Sequence, residues 1–351
     1  MKYALGLVAL VAALGFAGAT FSGGPGETFT IKGYTKAWFY MDGYEIANPE
    51  HAFRGYNWTT LMGRLNETTY AYLGVNYRTW DDTTPLNVCD AYVSMDVIPE
   101  LNVTAGQFKM PIGYASNCPG GDLYFLDRAA LTETDEFGYY GGRDVGLNLH
   151  GRFDWVGLDL GVFNGTGIHS DAENYVDKQI VAKLTLDPAE WLTVAGGVTM
   201  IGRAENLPEI PEEWSATAIN AYALADYPIS GSADLVFEGE FWQMPFPGPE
   251  VAGVENNAAV AFYTTLGVNF TLQDALIHSV MPAVRYESYS PSEPVATGVE
   301  RAEDNETFID FCLNVFINPY NTIQIGGRNY GFEDENSDGW TDMYLGWRLN
   351  Y

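Results

Sequence analysis

The chain has 351 residues, 47% of them hydrophobic and 15% aromatic, and sets 17 Lys and Arg against 46 Asp and Glu for a formal net charge of −29. That sign argues against nucleic acid as a partner, because a polyanion is bound by the opposite charge. The apolar and aromatic content excludes a disordered acidic chain, and three cysteines (Cys89, Cys118, Cys312) exclude a disulfide scaffold.

The first stretch reads as a leader. Lys2 precedes an apolar run from Tyr3 to Phe16, and Ala17-Gly18-Ala19 is a small-x-small cleavage site before Thr20. Residues 1–19 are therefore expected to be a cleaved signal peptide, which takes the net charge from −29 to −30 with the loss of Lys2. No later run of about 18 uncharged apolar residues follows, so any membrane crossing is left to strands.

Residues 20–351 read as one domain, with no internal repeat, composition break or linker. From Phe29 to Tyr44 the pattern has period two: Phe29, Ile31, Gly33, Thr35, Ala37, Phe39 and Met41 oppose Lys32, Tyr34, Lys36, Trp38 and Tyr40. A loop from Gly43 to Asn57 is expected next, then strands near 58–66 and 69–80 around a tight Asn66-Glu67 turn. The following strand has Cys89, Ala91, Val93, Met95 and Val97 as its outward set, and Ile98-Pro99-Glu100 turns it into Leu101–Met110. Further strands are expected at 143–153, 155–165, 175–186, 191–202, 213–227, 232–243, 257–272, 276–289, 305–317, 321–332 and 340–351.

Very short connections, such as Asp154 or Asn318-Pro319-Tyr320, alternate with long ones rich in Gly, Pro and acids, such as 111–142. An even set of about sixteen strands with that asymmetry predicts an all-β transmembrane antiparallel barrel. The expected outward faces carry almost no charge, as in Leu192/Val194/Val198/Met200 or Ile309/Phe311/Leu313/Val315/Ile317. Lipid would demand this, since a Lys or Arg at the midplane costs roughly 2–4 kcal/mol. One strand blurs: Gln107 and Lys109 share the register of Leu101, Val103 and Ala105, which a bulge or the membrane boundary would explain. The closing segment Met343–Tyr351 alternates cleanly and should pair with Phe29–Tyr44. Taken alone it also fits a buried strand of a soluble sandwich. Its terminal aromatic, Tyr351, resembles the C-terminal signal of outer-membrane barrels, which implies the barrel-assembly machinery as a partner.

The most specific stretch is 105–165. Ala105-Gly106-Gln107-Phe108-Lys109-Met110-Pro111-Ile112-Gly113 is followed by Phe125-Leu126-Asp127-Arg128, then Gly142-Arg143-Asp144-Val145-Gly146-Leu147, then Gly161-Val162-Phe163-Asn164-Gly165-Thr166-Gly167. This order resembles the phosphate-selective porin O and P family. The resemblance implies a bacterial outer-membrane channel for small hydrophilic solutes or ions. It also implies a homotrimer of sixteen-stranded barrels in outer-membrane lipid, and a third loop, here 111–142, folded into the lumen as its constriction. It requires no cofactor and no enzymatic activity.

Phosphate pores of that family use a ladder of inward arginines and a lysine cluster, and here the departure is large. Register points Lys32, Lys36, Arg64, Arg78, Arg152, Lys183, Arg285, Arg328 and Arg348 inward, against Asp90, Asp96, Asp144, Asp159, Asp234, Glu238, Glu240 and Asp310. The third loop adds Asp122, Asp127, Glu133, Asp135 and Glu136 against Arg128 alone. Such a lumen is expected to be weakly selective or to favour cations. Arg128 and Arg143 either line the constriction or brace the loop against the wall through its carboxylates. The loop aromatics Tyr124, Phe125, Phe137, Tyr139 and Tyr140 either form a sugar slide or pack the loop.

Two features lie outside this scheme. Asp334, Asn336, Asp338 and Asp342 sit at the spacing of a Ca²⁺ loop, with Gly339 for the sharp turn, but Leu345 stands where the bidentate Glu belongs. An acidic hairpin turn explains the same residues. If Ca²⁺ binds, an alternative role follows: an abundant structural or adhesive surface barrel. No Gly-x-Ser-x-Gly or His-Glu-x-x-His motif is present, and His51, His150, His169 and His278 are scattered, so nothing recommends a hydrolase.

Overall fold

A computed structural model describes residues 20–24, 27–43, 51–79, 86–167, 178–203, 214–245, 254–256, 258–272, 276–291, 294–296, 305–332 and 339–351. The leader, residues 1–19, lies outside the described residues. Sixteen strands make the wall: β1 (Glu27–Met41), β2 (His51–Arg64), β3 (Thr69–Arg78), β4 (Leu86–Ile98), β5 (Leu101–Lys109), β6 (Arg143–Phe153), β7 (Val156–Phe163) and β8 (Gln179–Ala189). The second half is β9 (Leu192–Arg203), β10 (Trp214–Ser230), β11 (Ala233–Met244), β12 (Ala259–Thr271), β13 (Ser279–Ser290), β14 (Glu306–Asn318), β15 (Asn321–Phe332) and β16 (Thr341–Asn350). Each pairs antiparallel with its sequence neighbour, and β16 pairs with β1, so the sheet closes. The expected loop 43–57 is shorter than its composition suggests, because β2 begins at His51 and pairs it with Met41. A short strand, Thr20–Gly24, adds to β1 where β16 ends.

Closure follows the expected register. Leu345 faces Phe39, Trp347 faces Ala37 and Leu349 faces Thr35. Gly33 and Tyr351 exchange both backbone hydrogen bonds, at 2.7 and 2.9 Å. Alternation then assigns two environments. Tyr344 and Arg348 are buried while Leu345 and Trp347 are each 53% exposed. Around the ring, Val93, Leu147, Leu160, Phe262 and Leu313 are exposed in the same way. A soluble monomer rarely exposes a contiguous apolar patch above a few hundred Å², so a belt around the whole barrel needs hydrocarbon as its solvent.

Local chemistry makes the tight turns. Asn66 Oδ1 accepts from the amides of Thr68 and Thr69, and Asn318 Oδ1 from those of Tyr320 and Asn321, all at 2.9 Å. These Asx turns replace the hydrogen bonds that the ladder loses at its end. Asp154 opens the two-residue turn between β6 and β7 at φ 55°, a left-handed conformation that Asp tolerates better than most residues.

One face assignment fails, and its cause is a β-bulge. Gly74 pairs with Asp90 but Val75 pairs with Val88, so Cys89 is an extra residue. It turns in and is buried, not outward as alternation predicts, while Val88 and Ala91 stay outside. The bulge also accounts for Gln107. That side chain is buried and donates to the carbonyls of Cys89 at 2.8 Å and Val88 at 3.4 Å, which the interrupted ladder leaves available.

Candidate functional site

In a closed sheet the face buried within a single chain is the inner one, and nearly all the buried charge is there. The segment between β5 and β6 lies against it. The amide of Met110 donates to the carbonyl of Gly142 at 3.0 Å, so the excursion starts and ends at one hydrogen-bonded pair. Inside it, Asn117 Nδ2 donates to the carbonyls of Met110, Ile112 and Gly113, at 3.1, 2.8 and 3.1 Å, and gathers the first turn. Gly113 has φ +73°, and a Cβ there would lie 2.7 Å from both Glu240 and Trp242, so only glycine fits. A 3₁₀ turn (Ala130–Glu133) and a short helix α1 (Asp135–Gly141), capped by Thr134 Oγ1, complete the segment.

Wall side chains hold this segment by its backbone. Glu240 on β11 accepts from the amides of Tyr114 and Ala115 at 3.0 and 2.7 Å, and also from Asn220 and Trp242. Glu287 on β13 accepts from the amide of Ala130. Lys36 on β1 donates to the carbonyl of Leu126 at 2.6 Å, Arg348 on β16 to that of Leu123, and Lys109 to that of Ser116. Arg285 and Arg328 both reach the carbonyl of Arg128, at 3.1 and 3.3 Å.

The two arginines belong to a buried cluster. Arg285 pairs with Glu287 at 2.8 Å and Asp310 at 2.7 Å; Arg328 pairs with the same acids at 3.0 and 2.7 Å. Two positive and two negative charges cancel, and the loop carbonyls take up donors left over, which is what a buried ion cluster requires. Apolar packing completes the anchoring. Phe137, Tyr140, Leu131 and Ile112 join Phe163 and Trp242 in one cluster, while Phe125 and Leu126 pack with Trp38 and Tyr344 in another. Of the loop aromatics, Phe125, Phe137 and Tyr140 are thus packing residues, and Tyr139 is exposed. Burial pushes the Tyr114 phenol up, with the Glu238 carboxylate beside it adding to the effect. Burial likewise raises the Cys118 thiol.

The sequence-predicted site residues therefore divide. Lys36, Arg328 and Arg348 are engaged by the segment, together with Glu240, Glu287 and Arg285, and Asp310 holds the two arginines Arg285 and Arg328 from the wall. Arg143 pairs with Asp90 across the wall at 2.7 Å, and Arg128 donates to the carbonyl of Ala115 within the segment. Arg143 thus joins two wall strands and Arg128 bonds within the segment, and neither contact involves the loop's own acids. Arg64 donates to the carbonyls of Asn66 and Glu67 at the β2–β3 turn, and Arg152 pairs with Asp187 at 2.7 Å beside another short turn. Lys32, Arg78, Asp122, Asp127 and Glu133 are exposed.

Asp342 is buried and accepts from the Tyr40 hydroxyl and, at 3.0 Å, from the Gly43 amide; Asp334, Asn336 and Asp338 lie outside the described residues. Cys89, Cys118 and Cys312 are buried free thiols.

A sequence reading places charge on the inner face but misses what it binds. Glu238, Glu240 and Arg285 were legible as inward charges, whereas Lys109 shared the register of the outward Leu101, Val103 and Ala105 and Glu287 was not singled out. Glu240, Glu287, Lys109 and Arg285 bind backbone groups of the segment, which leave no signature in sequence.

No family model matches the chain, and no curated protein matches it. Solved structures do. The outer membrane channel DcaP of Acinetobacter baumannii aligns at TM-score 0.63 and 10% identity over 95% of this chain and 99% of its own. An anion-selective porin from Comamonas acidovorans aligns at 0.62 and 11% over 93% and 100%. OmpT, an outer membrane protein of Vibrio cholerae in its trimer form, aligns at 0.55 and 11% over 92% and 99%. At these identities the likeness is one of architecture, and it is to porins in general: the chain has the sixteen-stranded barrel fold of the bacterial outer-membrane porins.

Proposed function

We propose that the chain is a passive diffusion channel for small hydrophilic solutes and ions in a bacterial outer membrane, exported by the leader 1–19. The observation that carries this reading is the 110–142 segment, pinned by its backbone to the charged inner face of a barrel whose outer face is apolar. A segment held there narrows the lumen and acts as its size filter.

Phosphate selectivity is not part of the reading. Most of the arginines and lysines that would replace an anion's hydration are engaged: Lys36, Arg285, Arg328 and Arg348 donate to loop carbonyls, and Arg143 pairs with Asp90, while Lys32 and Arg78 are exposed. Among the described side chains, the exposed charges of the segment are Asp122, Asp127 and Glu133. Weak selectivity or a cation preference follows from that balance. Stepwise conductance of the refolded protein in planar bilayers tests the channel, and its absence would sink it. A reversal potential of anion sign under a KCl gradient would overturn the selectivity.

A homotrimer is proposed on the outer wall of β1–β3. There the large apolar belt gives way to Ala37, Gly55 and Gly63 and to a polar group in which Asn57 bonds Thr35 and the Tyr351 hydroxyl, each at 2.9 Å. Contact with another copy would satisfy such a face better than lipid does. The terminal Tyr351 is further proposed as the group read by the barrel-assembly machinery. Ca²⁺ at 334–342 remains a proposal from spacing alone. Since Asp342 is already engaged, it would rest on Asp334, Asn336 and Asp338, and an EDTA-insensitive melting temperature would dismiss it.

A further inference from the structure

The polar side chains that anchor the 110–142 segment sit on β1, β5, β8, β11, β13, β15 and β16, and none of those described comes from β2, β3 or β4. The inner face of these three strands is aromatic. Tyr56 and Trp58 on β2, Tyr70 and Tyr72 on β3 and Tyr92 on β4 alternate inward and are half-buried, so their remaining exposure opens to the inside of the barrel. Tyr72 and Tyr92, paired across the strands, stack at 4.6 Å and 20°, with Tyr70 6.5 Å from Tyr72. Trp58 lies flat along the wall: a Cβ on Gly74 would be 2.8 Å from its ring, and its indole N–H donates to Thr60 at 3.0 Å.

The hydroxyls of Tyr70, Tyr72 and Tyr92 have no hydrogen-bond partner among the described residues. Next to them lies a hydrogen-bonded polar lattice on β4 and β5. Ser94 donates to Asn102 at 2.9 Å, Asn102 to Asp96 at 2.8 Å, and Thr104 to Ser94 at 3.1 Å.

We propose that this strip binds neutral sugars. The rings offer flat apolar surface to the C–H faces of a pyranose, while the tyrosine hydroxyls and the Ser94–Asn102–Asp96 lattice offer donors and acceptors to its hydroxyls. Organic cations, the other natural guests of aromatic faces, are disfavoured. Arg64 already lies 5.7 Å over Tyr70 and Arg143 5.0 Å over Trp58, so a further cation beside these two rings meets like charge, and the sugar platform is centred on Tyr72 and Tyr92. Anions are disfavoured too, because Arg143 is neutralised by Asp90 and Arg64 is held by turn carbonyls. This inference rests on the channel reading for its biological use, but its physical test does not.

The test is calorimetric titration of the full barrel, folded in detergent, with glucose and with maltotriose. Saturable binding is expected, tighter for maltotriose, which spans more rings. Tyr72→Ala with Tyr92→Ala should weaken it roughly tenfold, by loss of two aromatic contacts. Should that double variant fail to show heat-modifiable migration, Tyr72→Phe with Tyr92→Phe keeps both rings and removes both hydroxyls, and a severalfold weakening is expected. No saturable heat with either sugar, or an unchanged Kd in the folded variants, overturns the proposal. Absence of conductance steps would defeat the channel reading alone, since the titration reads the strip without it.

Discussion

Lys36 on the first strand of the wall reaches the carbonyl of Leu126, ninety residues further along, at 2.6 Å. Both are buried, so the ammonium is withdrawn from the lumen and its charge serves the segment's backbone. The same holds for Arg285, Arg328 and Arg348. Counting inward cations overstates the positive charge that a solute would meet, because much of it is hydrogen-bonded to peptide groups.

Removing one member of the buried cluster should loosen the segment. Asp310 accepts from both Arg285 and Arg328, so Asp310→Ala leaves two guanidinium groups short of a partner. Breaking a buried ion cluster on one side costs about 3–5 kcal/mol. A lower melting temperature is expected, together with a larger and noisier single-channel current, since both arginines also hold the Arg128 carbonyl. A quiet, unchanged current would show that the cluster does not position the segment.

Asp122 and Asp127 are exposed on the segment. Asp122→Asn with Asp127→Asn should move the reversal potential under a KCl gradient toward anions while the barrel stays equally stable, because neither carboxylate is among the anchors. An unmoved potential would place the selectivity elsewhere on the wall.

Trp347 is 53% exposed on the outer face of the closing strand and bonds Asn321 at 3.2 Å. Trp347→Asp puts a charge where hydrocarbon is expected, at a cost below the roughly 2–4 kcal/mol of Lys or Arg at the midplane. Insertion into the outer membrane should drop, read as loss of heat-modifiable barrel. Normal amounts of that form would refute the outward assignment.

Cys118 should be inert while the barrel is folded. The thiolate is the reactive form, and burial raises the thiol above its ordinary range, leaving it protonated at neutral pH. Cys89 and Cys312 are buried as well. Maleimide labelling should therefore be negligible before denaturation and reach three thiols after it. Rapid labelling of the native protein would contradict this packing.

The wall was legible because its rules are local. Period two separates Leu345 and Trp347 from Tyr344 and Arg348, and Asn, Pro and Gly mark where the strands turn. The face assignment failed at Cys89, where one inserted residue changes the face of the side chain without changing composition. The segment was legible as an acidic, aromatic excursion between β5 and β6. Its attachment was not, because Glu240 and Lys36 bind amides and carbonyls that every residue carries. For Arg128 and Arg143 the sequence left lining and bracing both open, because the choice of Ala115 and Asp90 as their partners depends on the folded chain.

The pinch at the base of the segment bears on how such a protein can change. Lys109 pairs with Arg143 at the end of the β5–β6 ladder, and the Met110–Gly142 hydrogen bond carries that ladder one step further. Everything between Pro111 and Gly141 is then an insert on a hairpin whose register is already set. Residues gained, lost or exchanged there leave the neighbouring strands in register. Permeability can thus change within an unaltered cylinder, and a graft of the insert from one barrel to another has only its contacts with the new interior to rebuild.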